Sequence, residues 1–360
     1  MRSDAGSVYF YAQAADSIYT DTNVYWLSVA SGAAMATTTV AGNAAGGQTF
    51  VDRRSLEVDA FAATVVATDP ASDYWFRDYL VGDSATDRQR SFDLQLVDPV
   101  AAGDAELTVR LFGATASGVA DEHQAEVRVN GTVVGQTAWQ GINAHQASLS
   151  FPASVLVAGG NTIEVAATTG PGAPYSVYYV DGFELASPRL LRSVNARLEF
   201  DAGTNAALQV SGFRGGDIAL LDITHPAAPQ WTSGGRIART NDGFGITFRP
   251  AGTQRRYLAE SLAAVRRPAS MVLDTPSNLR GSAGAEYVVI ADDELAAGAG
   301  ALASYRAGQG LSTLVVRLQD VYDEFGYGMS GPQALRDFLA YAWNEWPTPP
   351  RKMCEPSVPV

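Results

Sequence analysis

The chain has 360 residues, 46% of them apolar and 18% charged, with a formal net charge of −13 at pH 7. That length and apolar content suit two or three domains with full hydrophobic cores. The acidic balance, with Lys almost absent and Arg pairs only at Arg53-Arg54, Arg255-Arg256 and Arg266-Arg267, excludes nucleic acid and anionic membrane as partners, because both need clustered cations. No apolar run is long enough to span a bilayer. The single cysteine, Cys354, rules out an intrachain disulfide.

Residues 1–190 read as all-β. The segments SFDLQLV, ELTVRLF, AEVRVNG, ASLSF, NTIEVAA and SVYYVDGFEL are separated by Gly, Pro, Asn and Asp, the spacing of a jelly-roll-like, galactose-binding-like sandwich. Asn130-Gly131 is a hairpin signal between AEVRV and TVVGQ, and Gly159-Gly160-Asn161 predicts another turn. Sandwiches of this kind often hold sugars. Tyr25, Trp26, Tyr74, Trp75, Phe76 and Trp139 are candidate stacking platforms, and carbohydrate is the candidate partner. Core filling is the stronger reading, since Trp and Tyr in all-β domains mostly brace the interior. Asn130-Gly131-Thr132 also fits a glycosylation sequon, although the hairpin accounts for it fully.

Residues 191–275 predict a smaller β-rich domain, with strands in ARLEF, ALQVSGF, DIALLDI and GFGITFRP and a turn at Asp242-Gly243. No catalytic constellation occurs there. His225 precedes Pro226 and reads as a turn residue. The stretch from Pro268 to Ala285 is rich in Pro, Ser, Gly and Asn, which suits a linker.

Residues 276–360 change character. Tyr287–Ile290 and Thr313–Leu318 are apolar on both faces, the pattern of parallel strands covered on both sides. A helix is predicted from Asp293 to Ala307, with Asp292 or Asp293 as N-cap. A second runs from Gly331 to Trp346, with Ser330 and Gln333 at capping-box spacing and Pro332 in the first turn. The acidic-aromatic block DVYDEFGYG between them reads as a turn. Strand, helix, strand, helix implies right-handed crossovers onto a parallel sheet. Asp292-Asp293-Glu294 is similar to the acid cluster of a receiver domain, but those residues also serve as caps of the following helix. Asp320, Asp323 and Glu324 are the candidate calcium ligands, with a solvated turn as the stronger reading.

This last segment resembles the start of the caspase-like catalytic domain of gingipain-type cysteine peptidases. The similarity is carried by SYRAGQG, LVVRLQDVYDEFGYG, GPQALRDFLAYAWNEW and the exit PTPPR. Upstream, TDTNVYWLSV, VNGTVVGQTAWQG, NTIEVAATTG, VYYVDGFELASPR, VSGF and LDITHPAAP resemble the β region that precedes the peptidase domain in such proteins. The resemblance implies a cysteine endopeptidase acting on protein or peptide substrates, located outside the cell or in the bacterial envelope.

It does not supply catalytic residues in this chain. The family places its His and Cys, in that order, beyond the third and fourth strands, and no position here matches either motif. His123, His145 and His225 all precede the α/β segment. Cys354 is followed by Glu355 and by Pro356 and Pro359, a setting expected to leave it a solvent-accessible thiol outside a central strand. No catalytic, cofactor-binding or metal residue is therefore assigned. Only two parallel strands are expected, which leaves a sheet edge open, and clipping or aggregation is expected around residues 268–285. The missing third strand, and an N-terminus MRSDAGSVYFYAQA without a secretory signal, lead to the expectation that the chain is a fragment at both ends and inactive as a peptidase.

Overall fold

The computed structural model describes residues 2–4, 6–15, 17, 19–32, 34–42, 46–63, 74–348 and 352–353. Two compact units emerge: Met35–Arg266, and Met1–Ala34 together with Arg267–Val360.

The first unit opens with the sandwich. Its strands are β1 (Thr49–Glu57), β2 (Asp78–Val81), β3 (Gln89–Leu96), β4 (Asp104–Gly113), β5 (His123–Val129), β6 (Thr132–Trp139), β7 (Ala144–Pro152), β8 (Gly159–Thr169) and β9 (Val177–Leu190). One sheet runs β6-β5-β8-β3 and the other β7-β4-β9-β1, with β2 also on β9. Every pairing is antiparallel. Alternation decides which residues face inward. In β4, Ala105, Leu107, Val109 and Leu111 are buried, while Glu106, Thr108, Arg110 and Phe112 face the other way. They meet Val127, Val165, Tyr178 and Phe183 in one core, where each full burial contributes about 1.5–3 kcal/mol. The only helical piece between residues 90 and 185 is the single turn Ala153–Val155, in keeping with the sandwich.

The predicted hairpin is present. Val129 pairs with Thr132 across Asn130 (φ 49°) and Gly131 (φ 77°), the positive-φ pair of a two-residue turn. The Asn130 side chain is already committed. Its Nδ2 donates to Val155 O at 2.9 Å and Asn161 Oδ1 at 2.8 Å, and its Oδ1 accepts from Thr162 N at 3.0 Å. A glycan on that nitrogen would break two of these bonds.

A second core in the same unit is built by β10 (Arg197–Asp201), β11 (Leu208–Phe213), β12 (Ile218–Asp222), β13 (Gln230–Ser233), β14 (Arg236–Thr240), β15 (Gly243–Phe248) and β16 (Arg256–Ser261). One sheet runs β10-β16-β12-β13 and is extended by Thr37–Thr39; the other runs β11-β15-β14. The turn between β14 and β15 is Asn241-Asp242, one residue before the expected Asp242-Gly243, because Gly243 already pairs with Thr240. Phe200, Phe248 and Tyr257 pack at its centre, with Val40 and Phe50 joining them.

The second unit holds a three-stranded parallel sheet, where the sequence reading expected a pair. Its elements are β17 (Tyr287–Ala291), α1 (Ala296–Ala307), β18 (Thr313–Arg317), α2 (Leu318–Gly326), α3 (Pro332–Glu345) and β19 (Lys352–Met353). The order is β18-β17-β19. Tyr287 lies opposite Thr313 on one side and Lys352 on the other. Lys352 and Met353 suffice for β19. Cys354 lies outside the described residues. Tyr287 and Val289 pack on Ala299 and Ala303 of α1. Val288 and Val316 pack on Val321, Phe338, Ala342 and Trp346 of the opposite layer. Both faces are covered, as the apolar runs require.

Four further expectations are corrected. The block DVYDEFGYG is mostly helix α2, because Val321 and Phe325, four residues apart, face Phe338 and Tyr341 of α3. The capping box does not form: the N-cap of α3 is Gly331 with no side-chain hydrogen bond, and Gln333 instead donates to Asp337 Oδ1 at 2.6 Å. The expected linker is only partly free. Residues 265–276 are exposed, but Leu279 and Ala285 are buried. The first 34 residues, read from sequence as the start of the sandwich, group with the α/β unit. There Trp26 Nε1 donates to Tyr327 O at 2.9 Å, and a Cβ at Gly328 (φ 87°) would lie 2.6 Å from Val24 Cγ1.

Candidate functional sites

The carboxyl ends of β17 and β18 are where an open α/β sheet presents ligand-binding residues. Asp292, Asp293 and Glu294 lie at the first of these ends. Asp292 Oδ1 accepts from Glu294 N at 3.1 Å and so caps the turn before α1. Asp293 binds Arg317 of β18 through two contacts, Nε at 2.8 Å and Nη2 at 2.6 Å. The hydrogen bond from Arg317 holds the Asp293 carboxyl below its ordinary range. Asp320 is pushed the other way, first by burial and then by nearby Asp323 and Glu324 against the pull of Arg317. The two aspartates at the end of β17 thus act as a cap and an ion-pair partner, and do not converge as a receiver's metal pair would.

Asp320, Asp323 and Glu324 sit on α2. Glu324 Oε1 accepts from Ser277 Oγ and Leu279 N, each at 2.6 Å, and Oε2 accepts from Arg280 N at 3.2 Å. Burial raises this carboxyl's pKa, but those hydrogen bonds outweigh it and the net direction is down. This segment is pinned further by Trp346 Nε1 to Leu279 O at 2.8 Å and by the Arg280 guanidinium 4.2 Å above the Phe325 ring. Glu324 is an anchor for residues 277–280. Among the described residues no three His, Cys, Asp or Glu side chains gather as a metal site.

A cysteine peptidase needs a thiolate and an imidazole within hydrogen-bond reach. Residues 267–360 contain no His. His123 and His145 belong to the sandwich, and His225 is exposed in the turn closed by Ala228 N to His225 O at 2.8 Å. The buried His123 Nδ1 meets Ser176 Oγ at 2.8 Å and its Nε2 meets Thr115 O at 3.1 Å. Burial lowers the pKa of both His123 and His145. Neighbouring Glu122, also buried, accepts from Gly141 N at 2.6 Å and from the Ser117 N–H and hydroxyl. Those bonds overcome the upward push of burial and leave its pKa lowered. The carboxylate ties two loops together. With its polar atoms taken up by these bonds, the Ser, His and Glu grouping is a structural lock.

The candidate stacking aromatics do not form one platform. Tyr25 and Trp26 lie in the α/β unit, where Tyr25 Oη accepts from Gln13 N at 2.7 Å. Trp139 is core, stacked on His145 at 4.6 Å and 4°. Tyr74 and Trp75 stack on each other at 6.1 Å. Trp26 borders a cavity of about 320 Å³ with Asp323, Glu324 and Tyr327. Phe76 borders another, a groove of about 380 Å³ on the outer face of β7-β4-β9-β1, which Arg110, Phe112, His145, Gln146 and Asp181 also line. None of these five was singled out from the sequence as a binding residue except His145, which entered only as a histidine.

The chain is thus multidomain, with a β-rich unit and a parallel α/β sheet covered on both faces. Residues 280–354 match the model of Peptidase family C25, the gingipain family, and the likeness to that family lies in this segment. The fold is similar to that of dimeric latent PorU from Porphyromonas gingivalis, with a TM-score of 0.61, 15% identity, and coverage of 85% of this chain and 29% of that one. This chain therefore spans less than a third of that structure's length. The CBM36-1 domain of a multidomain xylanase from the hindgut metagenome of Trinervitermes trinervoides matches 37% of this chain and 96% of its own, at TM-score 0.24 and 12% identity. A family 35 carbohydrate-binding module from Clostridium thermocellum matches 39% and 98%, at 0.21 and 18%. No curated protein matches in sequence. Among the described residues, no helix is long and apolar enough to cross a membrane.

Proposed function

We propose that this chain forms the β region and the first α/β layer of a gingipain-type cysteine endopeptidase, and that it does not itself hydrolyse peptide bonds. The observation that carries the second half is the absence of any imidazole from residues 267–360. A thiol with no imidazole to take its proton is a weak nucleophile. The segment's role here is architectural: β17 is the central strand, paired in parallel with β18 on one side and β19 on the other. The family match at residues 280–354 and the fold similarity over 85% of the chain support this reading, and with it an extracellular or envelope location.

Fluorogenic peptides with basic and apolar residues before the scissile bond test the proposal, alongside an iodoacetamide probe of thiol reactivity. The expected result is no turnover and thiol labelling at an ordinary rate. Turnover that disappears in Cys354→Ala would overturn it.

A second reading, a binding module without catalysis, is favoured by one observation: the groove beside Arg110 on the sandwich.

A further inference from the structure

We propose that the outer face of sheet β7-β4-β9-β1 is a binding site for a neutral glycan, with Arg110 at its polar end and Phe112 as its apolar platform. This deepens the binding-module reading and does not depend on the peptidase one.

The groove is created by small residues at two positions. Arg110 of β4 lies opposite Gln146 of β7, and Phe112 lies opposite Ala144. On the other side Arg110 lies opposite Gly182 of β9. A Cβ on Gly182 would come 2.6 Å from Arg110 Nη2 and 2.9 Å from Leu56 O. The missing side chain lets the guanidinium rest on the sheet, and the short Ala144 side chain keeps the space beside Phe112 open. The resulting cavity, about 380 Å³, is within the range of small-ligand sites.

Its chemistry is two-sided. Arg110 Nε donates to Asp181 Oδ2 at 3.0 Å and Nη2 donates to Glu57 Oε2 at 2.6 Å. A held guanidinium flanked by carboxylate oxygens, with the Gln146 amide opposite, offers donors and acceptors side by side. Vicinal hydroxyls, each a donor and an acceptor, match that arrangement. Phe112, two residues along the same strand and on the same face, is backed by Phe76 with ring centroids 5.7 Å apart. An aromatic surface beside a polar fork suits a pyranose, which has hydroxyls at its edge and C–H groups on its face. Two carboxylates against one guanidinium leave the site net negative. Uronic acids and sulfated sugars are therefore repelled, and a neutral sugar is selected.

The full chain would be titrated by calorimetry with xylohexaose, cellohexaose, mannohexaose and laminarihexaose, and with polygalacturonate, heparin and a casein digest as contrasts. At least one neutral hexasaccharide should bind with a Kd below about 1 mM. Phe112→Ala should weaken that binding about 10-fold or more and Gln146→Ala about 3-fold, by loss of a stacking surface and of one polar partner. Ala144→Trp, an exposed change that fills the groove, should abolish it. Unchanged circular dichroism and melting temperature establish that Ala144→Trp and Gln146→Ala leave the fold intact. Failure of all four neutral sugars to bind, binding that survives Ala144→Trp, or preference for heparin, polygalacturonate or the casein digest would each overturn the proposal. The readout is binding alone, so none of these results bears on the peptidase reading.

Discussion

Strands β4 and β8 of the sandwich bury every second side chain, whereas β17 of the α/β unit buries Tyr287, Val288 and Val289 in succession. In the first case each sheet keeps a free outer face, and that face carries the Arg110 groove. In the second, both faces of the sheet are consumed in packing, and what remains open is the sheet's margin and the carboxyl ends of its strands. The two faces of β17 are also covered unequally. Phe338, Trp346 and Val321 fill one side, while on the other α1 contributes only Ala299 and Ala303 as fully buried groups. Binding surface and packing surface therefore compete for the same strands, and the two units resolve that competition differently.

The largest expected effect separates the units. Phe338→Ala removes a fully buried ring in contact with Phe325 and Trp346, at a cost of about 3–5 kcal/mol. Denaturant unfolding should show the α/β transition moving alone, and a matching shift of the sandwich transition would break the comparison. Glu122→Ala is the reciprocal change. It strips the acceptor from Ser117 and Gly141 and should cost the sandwich about 2–4 kcal/mol by leaving buried donors unpaired, with the α/β transition unmoved.

Acid should act next, and on the sandwich first. His123 and His145 have folded pKa values below the ordinary 6.5, so the unfolded chain takes up protons there before the folded one does. Their contribution is full above pH 6.5 and is lost as the pH falls below it through the folded values. Glu122 adds a second loss, starting near its ordinary 4.5 and ending below its lowered folded value. Melting temperature against pH should fall in these two windows, and His145→Gln should flatten the upper one. The smallest effect is a gain. Gly298 and Gly300 in α1 have open space where a Cβ would go. Alanine at each should stabilise the α/β unit by about 0.5–1 kcal/mol, seen as a rise in its unfolding midpoint.

What was legible in the sequence was local. Alternation in ELTVRLF, the Asn130-Gly131 turn and the unbroken YVVI run each depend on neighbours a few residues away, and each matches the structure. Helix α2 was not legible, because its Asp, Glu and Gly content reads as a turn until α3 supplies a partner for Val321 and Phe325. Strand β19 is two residues long and shows no periodicity of its own. The groove was hidden for the same reason on a larger scale. Arg110 meets Asp181 and Glu57 from 71 and 53 residues away, and it needs a glycine on a third strand to lie flat. Trp139 was legible only as a type of residue, and its burial between the two histidines bears out the core reading.

The Trp26–Tyr327 hydrogen bond joins residues 301 positions apart, which makes the order of folding matter. Closing a loop of that size in an unstructured chain costs about 5 kcal/mol of entropy, by the three-halves-power scaling of loop closure. One hydrogen bond and the Val24 contact cannot offset that. Prior folding of Met35–Arg266 turns most of the loop into a rigid spacer and removes most of the cost. The sandwich is then a kinetic prerequisite for its neighbour: the start of the chain must wait for the middle to fold before it can meet the end. Refolding of the α/β unit should lag behind that of the sandwich, and a circularly permuted chain that places residues 19–27 directly before residue 267 should abolish the lag.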